Sequence, residues 1–252
     1  MNYYKILNEK ENHHGLQYKT GLNIDPIPVN PSGDCEPGGI YFASKDILAF
    51  LSYGPWIRKV TLPKDAKVYK SPRILEKWKA DKVILGRKYR INTKIIQKLI
   101  NEGVDLKIND SYVLKWAAVN GYLDIIKLVI KNGIDPKTDD SYALKIAATN
   151  GYLKIVKFLI PLSDPKSDDN HALKFAATYG HAKVVKLLID NGADPKADNS
   201  YALRWAAKCG RLKIVKDLIP VSDINEKVKK WIKNHCEDQE ISNLILNYKQ
   251  KE

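Results

Sequence analysis

Histidine, cysteine and lysine are the side chains through which this sequence could do chemistry, and their spacing decides which kind. His13-His14 with Cys35, and His235-Cys236, set zinc-binding residue types side by side. A structural zinc needs four converging ligands, usually built from two closely spaced Cys or His pairs. Neither cluster has a second pair, so no metal site is expected. Cys35, Cys209 and Cys236 are odd in number and form no Cys-x-x-Cys, which argues against a disulfide framework and agrees with a reducing compartment. No P-loop, no Gly-x-Ser-x-Gly elbow and no pair of catalytic carboxylates is present. The expectation is a chain that is not an enzyme, with no catalytic residue, cofactor or metal.

Lysine is the larger resource. The 252 residues carry 42 Lys and Arg against 29 Asp and Glu, a net charge of +13 that invites a polyanion as partner. Residues 1–88 hold 15 basic and 9 acidic side chains and residues 89–252 hold 27 and 20, so the surplus is diffuse and no basic arm exists. Two sets of cations recur at matching sites: Lys115, Lys145, Lys174 and Arg204, then Lys127, Lys157, Lys186 and Lys216. On helices packed about 8–10 Å apart, each row spaces its charges by about one Debye length and could follow a polyanion. Asp139-Asp140, Asp168-Asp169 and Asp198 are expected to neutralise the first row. No aromatic platform is expected beside the rows, so specific nucleic-acid recognition is not expected either.

The matching sites come from an internal repeat, which sets the architecture. Units spaced 29–30 residues apart run over 109–138, 139–167, 168–197 and 198–224, with Tyr112, Tyr142, His171 and Tyr201 in register. In each, Leu144, Ala147 and Ala148 or their equivalents share one face of a short helix, and the paired alanines allow close helix approach. Gly151 and its equivalents turn the chain into a second helix with the stripe Ile155, Val156, Leu159 and Ile160. Asp135-Pro136, Asp164-Pro165 and Asp194-Pro195 are expected to stop that helix. His171 and His181 read as packing variants of tyrosine positions. A half repeat over 90–108 and a Lys-rich cap over 225–252, frayed past Lys249, complete a solenoid whose units bury their faces only by stacking. No apolar run approaches the roughly 20 residues of a membrane helix.

Residues 1–88 are expected to form a small α+β domain. Short strands are expected at Tyr3–Leu7, Gly39–Ala43, Trp56–Leu62 and Lys82–Leu85. An amphipathic helix capped by Ser44 should carry Ile47, Leu48 and Leu51. A loop dense in turn residues, Gly33 among them, should run between Gly21 and Gly39.

The repeat A-L-K-x-A-A-x-x-G-(Y/H)-x-x-(I/V)-V-K-x-L-I followed by G-x-D-P resembles the ankyrin repeat, with units about three residues short of the usual 33. The shortfall lies between the Asp-Pro and Tyr-Ala-Leu steps, so the hairpin fingers of that family should be stubby here. With His14–Asn23, Cys35–Phe42, Ile57–Pro63 and Lys77–Lys82, nearly the whole chain is similar to the ankyrin-repeat proteins of giant, mimivirus-type DNA viruses. That resemblance implies a mainly α protein, a short ankyrin solenoid after a small α+β domain. It further implies a viral protein made in an infected host cell, and the expected function is that of a monomeric adaptor binding a host or viral protein in the host cytoplasm, nucleus or virion, without a membrane. Contact positions carried over from ankyrin repeats are Ser111, Val119 and Asn120; Ser141, Thr149 and Asn150; Asn170, Thr178 and Tyr179; and Ser200, Lys208 and Cys209. A second resemblance, through His14-Gly15, Gly21-Leu22-x-Ile24 and Gly39–Ala43, is to the nicotinamide-binding half of poly(ADP-ribose) polymerase-type folds. It would make His14 and Tyr41 contacts to NAD in an ADP-ribosyltransferase-like domain. The later glutamate has only Glu76 to fill its place, in a turn-rich stretch, so the alternative reading is that Tyr41 and Phe42 fill a small core.

Overall fold

A computed structural model describes residues 2–31, 36–71 and 75–249. Gly33, Cys35 and the tail past Lys249 lie outside the described residues. The chain forms two compact units, Met1–Trp116 with Asp124–Ile134, and Ala117–Leu123 with Asp135–Glu252.

In the first unit, Tyr3–Leu7, apolar but for Lys5, is strand β1, the middle of a seven-stranded antiparallel sheet. Four of its five residues are buried, as a strand covered on both faces requires. The other strands are β4 (Gly21–Ile24), β5 (Ile40–Ala43), β6 (Trp56–Thr61), β7 (Val68–Lys70), β8 (Lys77–Ala80) and β9 (Lys82–Arg90), in the order β4-β9-β6-β1-β5-β8-β7. A separate hairpin pairs β2 (Asn12–His13) with β3 (Leu16–Gln17). Leu7, Tyr18, Ile40, Phe42, Val60, Ala80, Val83 and Leu85 make one core. A 3₁₀ helix over Ile47–Tyr53 buries Ile47, Leu48 and Leu51 against β1.

Two expectations change here. The segment after Ser44 tightens to a 3₁₀ helix, with Ile47 and Ala49 donating to the carbonyls three residues back. Ser44 does not cap it; its hydroxyl donates to Glu76 Oε2 at 2.9 Å. The stretch from Gly21 to Gly39 opens with β4, because pairing with β9 supplies ladder bonds that local turn chemistry does not reveal.

A buried Glu11–Arg58 ion pair, joined from the exposed side by Lys88, ties the β2–β3 hairpin segment to the sheet. Glu11 receives Arg58 at 2.7 Å and Lys88 at 2.7 Å, while Arg58 also donates to Thr20 Oγ1 and the Gly86 carbonyl. Burial pushes the Glu11 carboxyl up, but the hydrogen bonds from Lys88 and Arg58 outweigh it and hold it below its ordinary value.

After Arg90 the described residues contain no strand. Helix α1 (Thr93–Asn101) starts at Asn92, whose side chain accepts the Ile95 N–H, and is the expected half repeat. Helix pairs follow: α2 (Ile108–Val119) with α3 (Leu123–Lys131), α4 (Thr138–Thr149) with α5 (Leu153–Leu159), α6 (Ser167–Tyr179) with α7 (Ala182–Asp190), and α8 (Ala197–Lys208) with α9 (Leu212–Leu218). The cap is α10 (Glu226–His235) and α11 (Gln239–Leu246). In the second unit α4, α6, α8 and α10 pack in a row, and α5, α7 and α9 in another. The paired alanines of α4, α6 and α8 are buried at these contacts.

Each first helix opens with three consecutive left-handed residues: Asn109-Asp110-Ser111, Asp139-Asp140-Ser141, Asp168-Asp169-Asn170 and Asp198-Asn199-Ser200. A left-handed turn costs most residues roughly 1–2 kcal/mol each, and Asn and Asp are the non-glycine types that tolerate it best. Nine of the twelve are Asn or Asp. These turns occupy the place where the repeat falls short of the ankyrin length. The second helices also end differently from expectation. Gly133 and Gly192, at φ 91° and 96°, stop α3 and α7, and 3₁₀ turns at Ile160–Leu162 and Ile219–Val221 finish α5 and α9. The Asp-Pro step lies beyond, as a turn in which the aspartate accepts the N–H two residues on, Asp164 from Lys166 and Asp194 from Lys196.

Two outcomes are expected. Glu11→Gln should leave Arg58 buried without its counter-charge and cost about 3 kcal/mol in urea unfolding at neutral pH. That difference should shrink as pH falls through the depressed Glu11 value, because the wild-type carboxylate is then protonated too. At exposed Asp169, substitution by Val should lower stability by about 1–2 kcal/mol, whereas Asp169→Gly should hold or raise it.

Candidate functional site

The twelve contact positions separate by burial. Ser111, Ser141, Asn170 and Ser200, the last residues of the left-handed turns, are all buried. Three of them serve the fold: Asp164 N–H donates to Ser141 Oγ at 3.1 Å, Asp194 N–H to Asn170 Oδ1 at 2.6 Å, and Asp223 N–H to Ser200 Oγ at 2.9 Å. Thr149 and Thr178 are half-buried, and their hydroxyls bond back to the Lys145 and Lys174 carbonyls. Val119, Asn120, Asn150, Tyr179 and Lys208 are exposed. Cys209 is half-buried with a free thiol.

A second clasp joins neighbouring repeats beside these positions. Gly151, at φ 71°, leaves room that a Cβ would fill 2.4 Å from His181 Nδ1. The His181 ring lies there instead and bonds to the Thr149 carbonyl at 2.9 Å. Tyr152 reaches over Gly121 to Val119 O in the same way, and Arg211 over Gly180 to Thr178 O. Three different donors thus do one job, and His181 packs as a variant of Tyr152.

Along α6, α8 and α10 runs a stripe of half-exposed rings. His171 stacks on Phe175 at 4.2 Å, and Phe175 faces Tyr179 at 6.3 Å. Tyr201 stacks on Trp205 at 5.4 Å; Trp205 faces Trp231 at 6.2 Å, and Trp231 stacks on His235 at 4.5 Å. Cations alternate with them: Lys174 lies 5.1 Å from Tyr201, Arg204 5.6 Å from Tyr201 and 5.1 Å from Trp231, and Lys208 4.7 Å from Trp205. The expectation that no aromatic platform accompanies the lysine rows is corrected. The spacing of Tyr201 and Trp205, or His171 and Phe175, at i and i+4 placed them on one helix face and was the available signal.

The first cation row is largely engaged. Lys145 pairs with Asp168 at 3.1 Å and Lys174 with Asp198 at 3.4 Å, and Arg204 donates to the Asp198 and Asn199 carbonyls. The Lys145 hydrogen bond draws Asp168 below its ordinary value. In the second row Lys157, Lys186 and Lys216 are exposed, Lys216 lying 4.0 Å from Glu240.

Tyr41 is buried and lines a cleft, whereas His14 is exposed and its neighbour His13 lines that cleft. Glu76 accepts from Ser44, and its N–H donates to Asp46. The Cys236 thiol lies 3.5 Å from the Ala207 carbonyl, and burial raises its pKa. Among the described residues no group of three His, Cys, Asp or Glu could hold a metal ion, and no helix is long and apolar enough to cross a membrane.

The sequence matches a known family and known proteins. The family described as ankyrin repeats matches in three copies, over residues 88–170 and 144–228. An ankyrin-repeat protein of Acanthamoeba polyphaga mimivirus is 41% identical over 123 residues, 46% of this chain and 40% of that protein. An uncharacterised protein of the same virus is 41% identical over 129 residues, 49% of this chain and 94% of its own length. A further mimivirus ankyrin-repeat protein is 35% identical over 131 residues, 50% of this chain and 64% of its own. The match thus spans less than half of the first relative and nearly all of the second.

His171 offers a test of the stripe's interior. Burial lowers its pKa, so it contributes stability above the unfolded value of about 6.5 that is lost as pH falls toward the lower folded value. His171→Tyr, the residue of the sister units, should remove that component from the pH dependence of thermal unfolding.

Proposed function

The chain belongs to the ankyrin-repeat proteins of the mimivirus type, and from that premise we propose that it is a non-enzymatic adaptor binding a host or viral protein through its repeats. The observation that carries this reading is the alternating stripe of rings and cations on α6, α8 and α10, beside exposed Tyr179 and Lys208. Trp, Tyr and Arg are the residue types that anchor protein interfaces, because they bury large rigid area and still hydrogen-bond at their tips. A stack of rigid helices holds them at fixed spacing without ordering cost on binding. The contact set is Val119, Asn120, Thr149, Asn150, Thr178, Tyr179, Lys208 and Cys209 with the stripe. Ser111, Ser141, Asn170 and Ser200 support it from beneath. In this reading residues 1–88 form a head, residues 89–252 the solenoid, and the chain acts as a monomer in the host cytoplasm.

A polyanion partner would bind through Lys157, Lys186 and Lys216, and its affinity would collapse with salt by counterion release. A protein partner seated on the rings keeps a salt-insensitive part. The full chain, used as bait in Acanthamoeba polyphaga lysate at low and high salt, should retain a protein at high salt. Tyr179→Ala combined with Lys208→Glu should lower that retention roughly tenfold, the loss expected for an interface anchor. Loss of every partner at high salt would sink the adaptor reading.

A further inference from the structure

One cation of the first row departs from the pattern of the others. Lys145 meets Asp168 of the next repeat at 3.1 Å, 23 residues on, and Lys174 meets Asp198 at 3.4 Å, 24 residues on. Arg204 is the next member of that row, and at the same separations the chain carries Lys227 and Val228. Where each earlier repeat supplies a carboxylate, the cap supplies an exposed cation and a buried aliphatic side chain. Among the described residues Arg204 enters no ion pair.

The guanidinium is nevertheless held in place. Its Nε–H donates to the Asn199 carbonyl at 3.0 Å and its Nη2 to the Asp198 carbonyl at 2.9 Å. Its centre lies 5.6 Å from the Tyr201 ring and 5.1 Å from the Trp231 ring. Of the fork's N–H donors, those on Nη1 are unused among the described residues, on a side chain that is half-exposed. An arginine fixed in this way loses little further rotamer freedom on pairing, and its planar fork matches a carboxylate. One turn on, exposed Lys208 lies 4.7 Å from the Trp205 ring. Residues at i and i+4 share a helix face with about 5–6 Å between Cβ atoms. Alternate residues of an extended chain are about 6.4–6.8 Å apart, so two carboxylates separated by one residue reach Arg204 and Lys208 together.

We propose that the end of the stripe on α8 and α10 is a carboxylate-binding subsite. Its occupant is an extended acidic segment of the partner protein, with two Asp or Glu side chains separated by one residue. This rests on the reading that the stripe is the protein interface. One carboxylate takes the free edge of Arg204 and the other takes Lys208, while an aromatic neighbour in the segment covers Trp231. Charge complementarity selects this partner. No acidic residue follows Asp198 in α8 or Glu226 in α10, and those two are paired with Lys174 and Lys229. A nucleic-acid strand fits less well, because Asp168 and Asp198 already neutralise Lys145 and Lys174 and would repel successive phosphates along the row. A short acidic segment needs only the unpaired end.

An NMR titration of the isotope-labelled full chain at about 0.15 M salt tests this, with the Arg204 Nε–H and Trp231 Nε1–H resonances as reporters. The probes are the capped peptide Ser-Glu-Ser-Glu-Phe-Ser, its counterpart with Gln for Glu, and a short single strand of thymidylates. The acidic peptide should shift both reporters and bind at least roughly tenfold more tightly than the glutamine peptide. Arg204→Lys puts back the residue of the sister units and should fold; having lost the fork, it should weaken the acidic peptide at least roughly fivefold. Lys208→Gln, at an exposed position, should weaken it to a similar degree. Equal binding of the two peptides, no shift at Arg204 with millimolar acidic peptide, full binding by Arg204→Lys, or tighter binding of the thymidylate strand would overturn the proposal. If the unmodified chain still retains a protein from lysate at high salt, such a result removes this subsite alone and leaves the adaptor reading standing.

Discussion

In each repeat of the second unit, the backbone N–H of an aspartate, Asp164, Asp194 or Asp223, donates to the buried side chain that ends the left-handed turn of the same repeat. The two groups lie 23 or 24 residues apart and close the repeat on itself. One such bond contributes on the order of 1 kcal/mol, but leaving its buried acceptor empty costs about 1–3 kcal/mol. That asymmetry matters because the units are short. Where a longer repeat would run through a hairpin, this chain turns left-handed for three residues and must hold the turn with a side chain. Ser and Asn are small enough to be buried there and polar enough to accept.

The clasp governs what the surface can present. It fixes the start of α4, α6 and α8, and so the face on which Phe175, Trp205 and their cations lie. It also places Asp168 and Asp198 where they meet Lys145 and Lys174. Much of the first cation row therefore completes the stack, and only part of the excess of basic residues is offered to a partner. The second clasp, from Tyr152, His181 and Arg211 to the carbonyls of the preceding repeat, fixes spacing along the solenoid. Rings held in this way present a surface that loses little freedom on binding.

The repeats were legible because one pattern recurs four times, and each copy restricts the reading of the others. Helix faces, paired alanines and turn glycines follow directly from spacing. The left-handed turns are not legible from the spacing, although Asp139-Asp140-Ser141 and its equivalents carry the residue types that tolerate positive φ. Periodicity reports which residues share a face and is silent on the sign of φ. Ser141, Asn170 and Ser200, contact positions by the ankyrin resemblance, are instead buried and close their own repeats. The head was less legible, since strands such as Gly21–Ile24 and Val68–Lys70 exist through pairing with distant partners.

Residue-resolved amide exchange on the full chain tests the central claim most directly. If the side-chain clasps hold the short repeats closed, the N–H groups of Asp164, Asp194 and Asp223 should exchange as slowly as those of the buried alanines in α4, α6 and α8. Exchange at the rate of an open loop, while those helices stay protected, would show that the repeats stack without the clasp and would contradict this account.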